Sequence, residues 1–425
     1  MKRFTAILLC LCLVAGMSAA YAADKVNMSF FQPNNTESSE TGTDANKYII
    51  GGTNIGDVVY VLTNMTVERW APGDTAPTVV IKDFEYSEGM DTDTAIKDDQ
   101  AGKLGFSALV TDGTVLYGLN RVTGTLWKLA DANGMLAKPE VASKLDWTAM
   151  HRTQQGDEAY TYVPQMGDTV IVDGVLYGVV TDWNAEKQTT ELLSWTVSTG
   201  KMIADKKDVF LCTINAYKDG LLLGKYYDQA NSWDQETQTL KMPQMVTYNP
   251  ATGEVIKLID FESTNIYGVR YMAATDTVYY VDSSIVYSMV GLQKPAKVSA
   301  YIPNNVWDDS SIHILPSGMV AVIDYNGMIV RGLDMPGIEN GALTIYGEYG
   351  SAGHQAYLAA NPQALVTCSQ DYYSSLEQFT NAMVSGTNTV DVLRLDASYS
   401  PLARLIDKGY ALDLSGYADL KAIAD

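Results

Sequence analysis

Short apolar runs that end at a glycine turn recur along most of the chain and constrain its fold more than any other feature. Between residues 47 and 336 the inner runs include DVVYVL at 57–62, DGVLYGVV at 173–180 and SGMVAVI at 317–323. Partner runs such as TELLSWTV at 190–197 follow them and end near Thr-Gly turns. Alternating apolar residues bounded by glycine turns predict repeated antiparallel hairpins.

The spacing of these hairpins indicates a β-propeller. The units are about 40 to 60 residues long, the usual length of a blade built from short strands. We predict an irregular six- or seven-bladed β-propeller over 47–336, with a seventh unit at 78–110 or 140–165. The alternatives are a pair of β-sandwiches or an irregular β-solenoid. The segment LNRVTGTLWKL at 119–129 resembles the tryptophan repeat of quinoprotein-like propellers, as shared architecture without a quinone site.

The N-terminal segment has the pattern of a secretory signal peptide. Lys2 and Arg3 precede an apolar run, and Ala20-Tyr21-Ala22 forms a small-x-small cleavage motif. A retained membrane anchor is the alternative, but the apolar run is short for a membrane span. We therefore expect a signal peptide at 1–22, a flexible polar leader at 23–46, and a secreted or extracytoplasmic protein without a membrane span after cleavage.

Charge and composition exclude several functions. Fifty acidic residues against 29 basic ones give a net charge of −21, which disfavours binding to nucleic acid. Cys212 and Cys368 are the two cysteines beyond the signal segment, too few for a disulfide framework. The acidic stretch at 88–102 lacks the glycine and glutamate spacing of a calcium loop. We predict no metal site, no cofactor and no catalytic residue.

The pattern changes at Gly341, where apolar strands begin to alternate with amphipathic helices. Three strands are predicted at 343–347, 363–370 and 389–396, and helices follow them at 354–362, at 373–386 and after Ser400. This order is βαβαβα, which requires a parallel sheet with crossover connections. The sequence therefore predicts a mostly β protein that ends in a short, incomplete α/β unit at 341–425.

The residues of this C-terminal unit carry a family resemblance. LTIYGEYGS, AANPQALVTC and LEQFTNAMVSGTNTVDVLRLDASYSPLARLIDKGYALDLSGY resemble the N-terminal part of a bacterial extracellular solute-binding protein of the sugar-importer class. The resemblance covers 342–417. It implies a lobe that holds a sugar in a cleft and delivers it to an ABC permease. The family has two lobes around a hinge, so we expect a truncated or split binding component here.

Candidate ligand-binding residues follow the three predicted parallel strands. In open α/β sheets, ligands bind beyond the carboxyl ends of the strands. Carboxylates accept hydrogen bonds from sugar hydroxyl groups, and tyrosine rings stack on sugar faces. The candidate residues at these strand ends are Glu348, Tyr349, Asp371, Tyr372, Asp396 and Tyr399.

These observations favour a secreted, non-enzymatic binding protein associated with ABC-type carbohydrate uptake. Its expected partners are a small-molecule ligand of the sugar class and an ABC permease of the bacterial cell envelope or periplasm. One alternative is an extracellular propeller that acts as an interaction or scaffold protein and has a vestigial C-terminal unit. A second alternative is a secreted propeller lyase or glycosidase, because a propeller assembles its site from distant loops.

Overall fold

Six antiparallel sheets of four strands form the main body of the protein in the computed structural model. The structure describes residues 28–31, 47–74, 76–86, 92–131, 134–154, 160–183, 189–228, 231–235, 238–302, 311–324, 327–334, 343–346, 366–368, 381–383, 385–386, 390–393 and 407–409. Each sheet is one blade of a β-propeller, and its strands are ordered from the innermost to the outermost. The first strand of the chain, β1 (Met28–Phe31), belongs to the last blade.

Blades 1 and 2 are joined by a segment that contains the longest helix of the described residues. Blade 1 consists of β2 (Ile49–Ile55), β3 (Val58–Thr63), β4 (Val67–Trp70) and β5 (Thr78–Ile81). The connecting segment contains β6 (Glu85–Tyr86), α1 (Thr92–Gln100) and β7 (Gly105–Phe106), and β6 pairs with β7 in parallel. Blade 2 consists of β8 (Ala108–Thr111), β9 (Leu116–Leu119), β10 (Thr125–Asp131) and β11 (Gly134–Lys144).

Blades 3 and 4 each carry a small extra hairpin. The hairpin of β12 (Arg152–Gln154) and β13 (Tyr160–Tyr162) precedes blade 3. Blade 3 consists of β14 (Gln165–Val172), β15 (Val175–Asp182), β16 (Thr189–Thr196) and β17 (Met202–Lys206). Blade 4 consists of β18 (Leu211–Ala216), β19 (Leu222–Tyr226), β22 (Gln244–Tyr248) and β23 (Val255–Asp260), with the hairpin of β20 (Trp233–Asp234) and β21 (Thr239–Leu240) inserted.

Blades 5 and 6 complete the ring. Blade 5 consists of β24 (Ile266–Met272), β25 (Thr277–Asp282), β26 (Ile285–Val290) and β27 (Lys297–Tyr301). Blade 6 takes β28 (Ser311–Leu315), β29 (Met319–Asp324) and β30 (Gly327–Gly332) from the end of the propeller and β1 from its beginning. Short 3₁₀ turns lie at Thr148–Met150, Lys218–Gly220 and Ala273–Thr275.

Hydrophobic residues between neighbouring blades hold the ring together. In the described part of the chain, six buried clusters correspond to the six blade–blade interfaces. The cluster between blades 6 and 1 joins Ile49, Val59 and Val61 to Ile323 and Val330. The neighbouring innermost strands also contact each other all the way around, from β2 through β8, β14, β18, β24 and β28 back to β2. The propeller is therefore a closed ring of six blades.

The strand β1 closes the sixth blade. It runs antiparallel to β30 and pairs Met28 with Val330 and Phe31 with Gly327. This strand lies within the segment 23–46, which the sequence predicts to be a flexible leader. The propeller therefore includes residues that precede position 47. Without β1, the strand β30 would be the edge of blade 6 and its backbone groups on that side would be unpaired. All six residues of β30 are buried, so this edge is one that needs a partner strand.

The apolar runs that the sequence shows most clearly are not the innermost strands. DVVYVL, DGVLYGVV and SGMVAVI form β3, β15 and β29, which are the second strands of their blades. The partner runs form the third strands, so the predicted hairpins are present. Second and third strands are covered by blades on both faces, and their residues are accordingly the most apolar.

The longer connections lie at one end of the ring. Strand pairing places the β6–α1–β7 segment and the β12–β13 hairpin just before β8 and β14 begin, and the β20–β21 hairpin at the same end of blade 4. We call the end at which the innermost strands begin the loop face. The β12–β13 hairpin is tied to blade 3 by Arg152, which donates to Asp182 at 2.6 Å and to Glu191 at 2.5 Å. The loop face thus carries insertions that precede blades 2 and 3 and interrupt blade 4.

Glycine turns bring blades 2 and 3 into close contact. Gly200 has a φ of +71°, and a Cβ atom there would lie 1.9 Å from the carbonyl oxygen of Lys144. Gly124, with a φ of +75°, lies against the ring of Trp147, which stacks on Trp195 at a centroid distance of 4.9 Å. These contacts require glycine because both the backbone conformation and the space exclude a side chain.

After the propeller, three short strands form a parallel sheet. β31 (Leu343–Tyr346) lies between β32 (Val366–Cys368) and β33 (Val392–Leu393), and both neighbours run parallel to it. The three strands fall inside the three predicted ones. Residues 381–383 and 385 are helical within the predicted helix at 373–386. The rest of the predicted helices lies outside the described residues, so the complete α/β unit stays a prediction.

Candidate binding site in the central channel

The innermost strands of all six blades enclose a cavity of about 490 Å³ on the axis of the ring. It opens toward the loop face, because its lining includes the first residues of these strands and the residues just before them, such as Tyr48 and Ser107. The cavity volume lies within the range of small-molecule binding sites. The channel is therefore the candidate site that the fold itself creates.

Two glycines of β2 allow close packing of the strands beside the channel. A Cβ atom on Gly52 would lie 2.5 Å from Ile323 Cδ1 and 2.5 Å from the carbonyl oxygen of Tyr60. A Cβ atom on Gly51 would lie 3.2 Å from the hydroxyl oxygen of Ser311 on β28. Glycines in β2 thus let the first and sixth blades meet closely at the axis.

A charged pair spans the channel between blades 3 and 5. The Asp168 carboxylate on β14 accepts a hydrogen bond through Oδ2 from the backbone N–H of Ile214, at 3.1 Å. The same oxygen lies 3.4 Å from Nη1 of Arg270 on β24. Because the Asp168 side chain is about 29% exposed, part of this carboxylate faces the channel. The described residues give its Oδ1 atom no hydrogen-bond partner.

Backbone carbonyl groups fix the orientation of Arg270. Its Nε donates to the carbonyl oxygen of Ile312 at 2.6 Å, and its Nη1 donates to that of Val269 at 3.1 Å. Asn215 on β18 adds a further link, since its Oδ1 accepts from the backbone N–H of Tyr271 at 3.1 Å. These contacts join blades 3 to 6 around the channel and hold the guanidinium group in one position.

His313 on β28 lies in the channel wall beside Arg270. Burial, and after it the positive charge of Arg270, lowers the pKa of His313 to about 3, although a hydrogen bond with the backbone of Gly52 acts in the opposite direction. Its Nε2 atom is buried and has no hydrogen-bond partner among the described residues. The imidazole is therefore neutral at physiological pH and adds no charge to the channel.

Aromatic side chains stand around the opening of the channel. Tyr48, Tyr86 and Tyr267 line the cavity, and the rings of Tyr48 and Tyr86 meet edge to face at 6.3 Å. Trp183, which is 58% exposed, donates from Nε1 to Oε1 of Gln165 at 3.1 Å. Because Gln165 is itself a lining residue, this hydrogen bond holds an exposed indole ring at the mouth. Such rings can stack on an apolar ligand face.

The channel differs from the site that the sequence predicted. Glu348, Tyr349, Asp371, Tyr372, Asp396 and Tyr399 all lie outside the described residues, so their placement at strand ends stays a prediction. Sequence reasoning missed the channel residues because they belong to strands of mixed polarity. One signal could have found them: a polar or charged residue interrupts the apolar pattern in QMGDTVIV, IYGVRYM and SIHIL.

Within the ranges that the structure describes, no group of three or more histidine, cysteine, aspartate or glutamate residues could hold a metal ion. No helix in those same ranges is long and apolar enough to cross a membrane.

The fold and the channel define the class of the protein as a six-bladed β-propeller. No protein-family model matches the chain, and no curated protein matches it. Several solved structures show a distant similarity to the chain. One is the alpha-L-arabinanase of Penicillium chrysogenum, with 11% identity, a TM-score of 0.43, and coverage of 72% of this chain and 97% of that chain.

Two other similar structures are larger proteins. One is the extracellular domain of a putative hybrid two component system from B. thetaiotaomicron, with 9% identity and a TM-score of 0.36 over 72% of this chain and 39% of that chain. The other is PorZ of Porphyromonas gingivalis, with 10% identity and a TM-score of 0.35 over 67% of this chain and 33% of that chain. Similarities at this level carry no inference about ligand, activity or partner.

Proposed function

We propose that the protein is a secreted, non-enzymatic binding protein that takes a small sugar into the mouth of its central channel. The observation that carries this proposal is the combination of an open polar cavity of about 490 Å³ with Trp183 held at its mouth by Gln165. Sugars present apolar ring faces and hydroxyl edges, and this site offers an exposed indole beside carboxylate, hydroxyl and backbone groups.

The lining has suitable partners for sugar hydroxyl groups. Oδ1 of Asp168 is an acceptor without a partner among the described residues, and Ser311, Thr169 and Thr213 also line the cavity. Carboxylate–hydroxyl hydrogen bonds are charge-assisted and thus stronger than neutral ones. The ligand would stack on the aromatic mouth and direct its hydroxyl groups toward the channel axis.

Replacing Trp183 tests the proposal. We expect the secreted chain to bind at least one member of a panel of mono- and disaccharides by calorimetry, and Trp183→Ala to weaken that binding about tenfold because the stacking surface is lost. Trp233→Ala is the matched control, since Trp233 is 49% exposed but lies on the β20–β21 hairpin, which contributes no residue to the cavity lining.

Absence of binding to every sugar in the panel would count against the proposal and favour the interaction or scaffold protein. Equal loss of affinity in both tryptophan variants would place the ligand somewhere other than the channel mouth. The same samples also test the enzymatic alternative, by release of reducing ends or unsaturated products from polysaccharides. Hydrolysis of glycosides commonly uses two carboxyl groups, and the described lining supplies Asp168.

The association with ABC-type carbohydrate uptake is a separate proposal that rests on the sequence resemblance over 342–417. The parallel order of β31, β32 and β33 is compatible with it. Sequencing the DNA downstream of the coding region tests it directly. We expect permease genes and coding sequence for the remainder of a binding lobe, and their absence would remove the reason to link this propeller to an importer.

A further inference from the structure

Charge is distributed unevenly between the channel and the rest of the protein. The chain as a whole has a net charge of −21. The described cavity lining reverses this balance, because it contains the guanidinium groups of Arg121 and Arg270 and the single carboxylate of Asp168. His313 is neutral there. The axis of an acidic protein thus carries the guanidinium group of Arg270, and the cavity wall there strengthens electrostatic interactions.

Arg270 has one side of its guanidinium group available. Its Nε and Nη1 atoms are used by Ile312, Val269 and Asp168, whereas the described residues give Nη2 no hydrogen-bond partner. Nη2 is not buried, and Arg270 lines the cavity, so a ligand in the channel can contact this atom. A guanidinium group fixed in this way holds Nη2 in one position, from which it can donate a charge-assisted hydrogen bond to a carboxylate oxygen.

Asp168 completes the arrangement. Its Oδ2 lies 3.4 Å from Nη1 of Arg270, and Oδ1 remains an acceptor. A ligand that carries a carboxylate with a hydroxyl group on a nearby carbon satisfies both residues, since its carboxylate accepts from Arg270 and its hydroxyl donates to Asp168. A neutral sugar would leave Nη2 of Arg270 without an anionic partner.

We infer that the channel selects acidic sugars of the uronic acid class, with the carboxylate bound by Arg270 and the ring at the aromatic mouth. This inference rests on the proposed function, which requires only that a sugar bind at the channel mouth. Carboxylate and phosphate groups share the chemistry that a guanidinium group recognises. We assign a carboxylate, because Asp168 beside Arg270 disfavours a dianion.

Calorimetry with the full-length secreted chain tests the inference. The ligands are glucuronate and galacturonate, their neutral counterparts glucose and galactose, and glucose 6-phosphate. We expect the better uronate to bind at least about tenfold more tightly than its neutral counterpart, and more tightly than the phosphate. We also expect added salt to weaken binding of the uronate and not of the neutral sugar.

Substitution of Arg270 locates the effect. Arg270→Gln should weaken uronate binding roughly tenfold to a hundredfold, and should weaken uronate binding more than neutral-sugar binding. Arg270→Lys should recover part of the affinity, because it keeps the positive charge but loses the contacts that fix the guanidinium group. Lys257→Gln removes the same charge at an exposed pair with Asp260 on the outer strand of blade 4, and should leave binding unchanged.

The outcomes separate this inference from the proposed function. Equal affinity for uronates and neutral sugars, or equal effects of Arg270→Gln and Lys257→Gln, would overturn the acidic-sugar inference and leave sugar binding intact. Tighter binding of glucose 6-phosphate would overturn the carboxylate assignment. Absence of binding to all five ligands would overturn the inference and count against the proposed function as well. If Arg270→Gln does not fold, the ligand pairs and salt dependence of the unaltered protein decide the matter.

Discussion

At the scale of single residues, the protein buries several ionisable groups whose charge states are set by their surroundings. His313 is held neutral in the channel wall by burial and by Arg270. Arg152 lies between Asp182 and Glu191, whose side chains are 3% and 2% exposed. Buried groups of this kind make stability depend on pH and on individual partners, because their charged and neutral forms differ strongly in free energy.

The neutral state of His313 predicts a loss of stability in acid. The pKa of His313 falls to about 3 in the folded protein, against about 6.5 for an unfolded histidine. Between these values the unfolded chain binds a proton that the folded protein does not, so the free energy of unfolding falls as pH falls through this window. From pH 7 to pH 5 we expect a loss of about 1 to 2 kcal/mol from this residue.

Denaturant unfolding at pH 7, 6 and 5 measures this effect. His313→Gln should reduce the loss of stability between pH 7 and pH 5, since glutamine does not titrate. His151→Gln is the matched control, because the His151 side chain is exposed and its Nε2 lies 2.9 Å from the carbonyl oxygen of Val122. The same pH dependence in His313→Gln and in the unaltered protein would show that this imidazole does not contribute.

Removing Arg152 should destabilise blade 3 and its hairpin. Arg152→Met leaves Asp182 and Glu191 buried without the guanidinium group that joins them, although Lys207 still contacts Glu191 at 2.7 Å. We expect a loss of about 2 to 3 kcal/mol in the free energy of unfolding. Lys257→Met, which breaks the exposed pair with Asp260, should cost less than about 0.5 kcal/mol. Similar values for both variants would contradict this account.

At the scale of elements, the strands of one blade have different roles and different sequence signatures. The third strands lie between two others and are apolar, whereas the innermost strands present polar side chains to the channel. The outermost strands expose one edge, and they carry exposed apolar residues such as Val79, Ile203 and Ile256. The strand β1 is exceptional, because it comes from the opposite end of the propeller sequence.

Deleting β1 should therefore destabilise the whole ring. A chain that starts at residue 32 loses the four strand residues that pair with β30. We expect a decrease of at least about 2 kcal/mol in the free energy of unfolding, together with self-association through the exposed edge. Thermal unfolding and size-exclusion chromatography measure both effects, and a peptide of residues 24–34 added in trans should reverse them. Unchanged stability and a monomeric state would show that β1 is dispensable.

The elements also show what could be predicted from the sequence. The second and third strands were predictable because apolar alternation and glycine turns mark them, as in β15 and β16. The innermost strands were not, since Asp168 in β14 and Arg270 in β24 interrupt the apolar pattern that identifies a strand. β1 was missed because the local sequence contains no signal for a partner at the far end of the ring.

At the scale of the whole molecule, the ring geometry explains why the channel could not be predicted. Asp168, Arg270 and His313 belong to three different blades and meet only because the ring closes. Local patterns report on strands and turns, whereas the convergence of distant strands on an axis depends on the number of blades and on their packing. The six interface clusters fix the number of blades and their packing. The cluster between blades 6 and 1 can form only when these two blades meet.

The pairing of β1 with β30 has a consequence for the order of synthesis. β1 leaves the ribosome before the other described strands, and its partner lies among the last residues of the propeller, so it stays unpaired while five blades are made. During that time the apolar face around Ile49 and Val59 has no neighbour, and the growing arc is open at both ends. Assembly therefore ends with a single joining step that couples the two ends of the arc, and a chain halted before Gly332 leaves both ends uncovered.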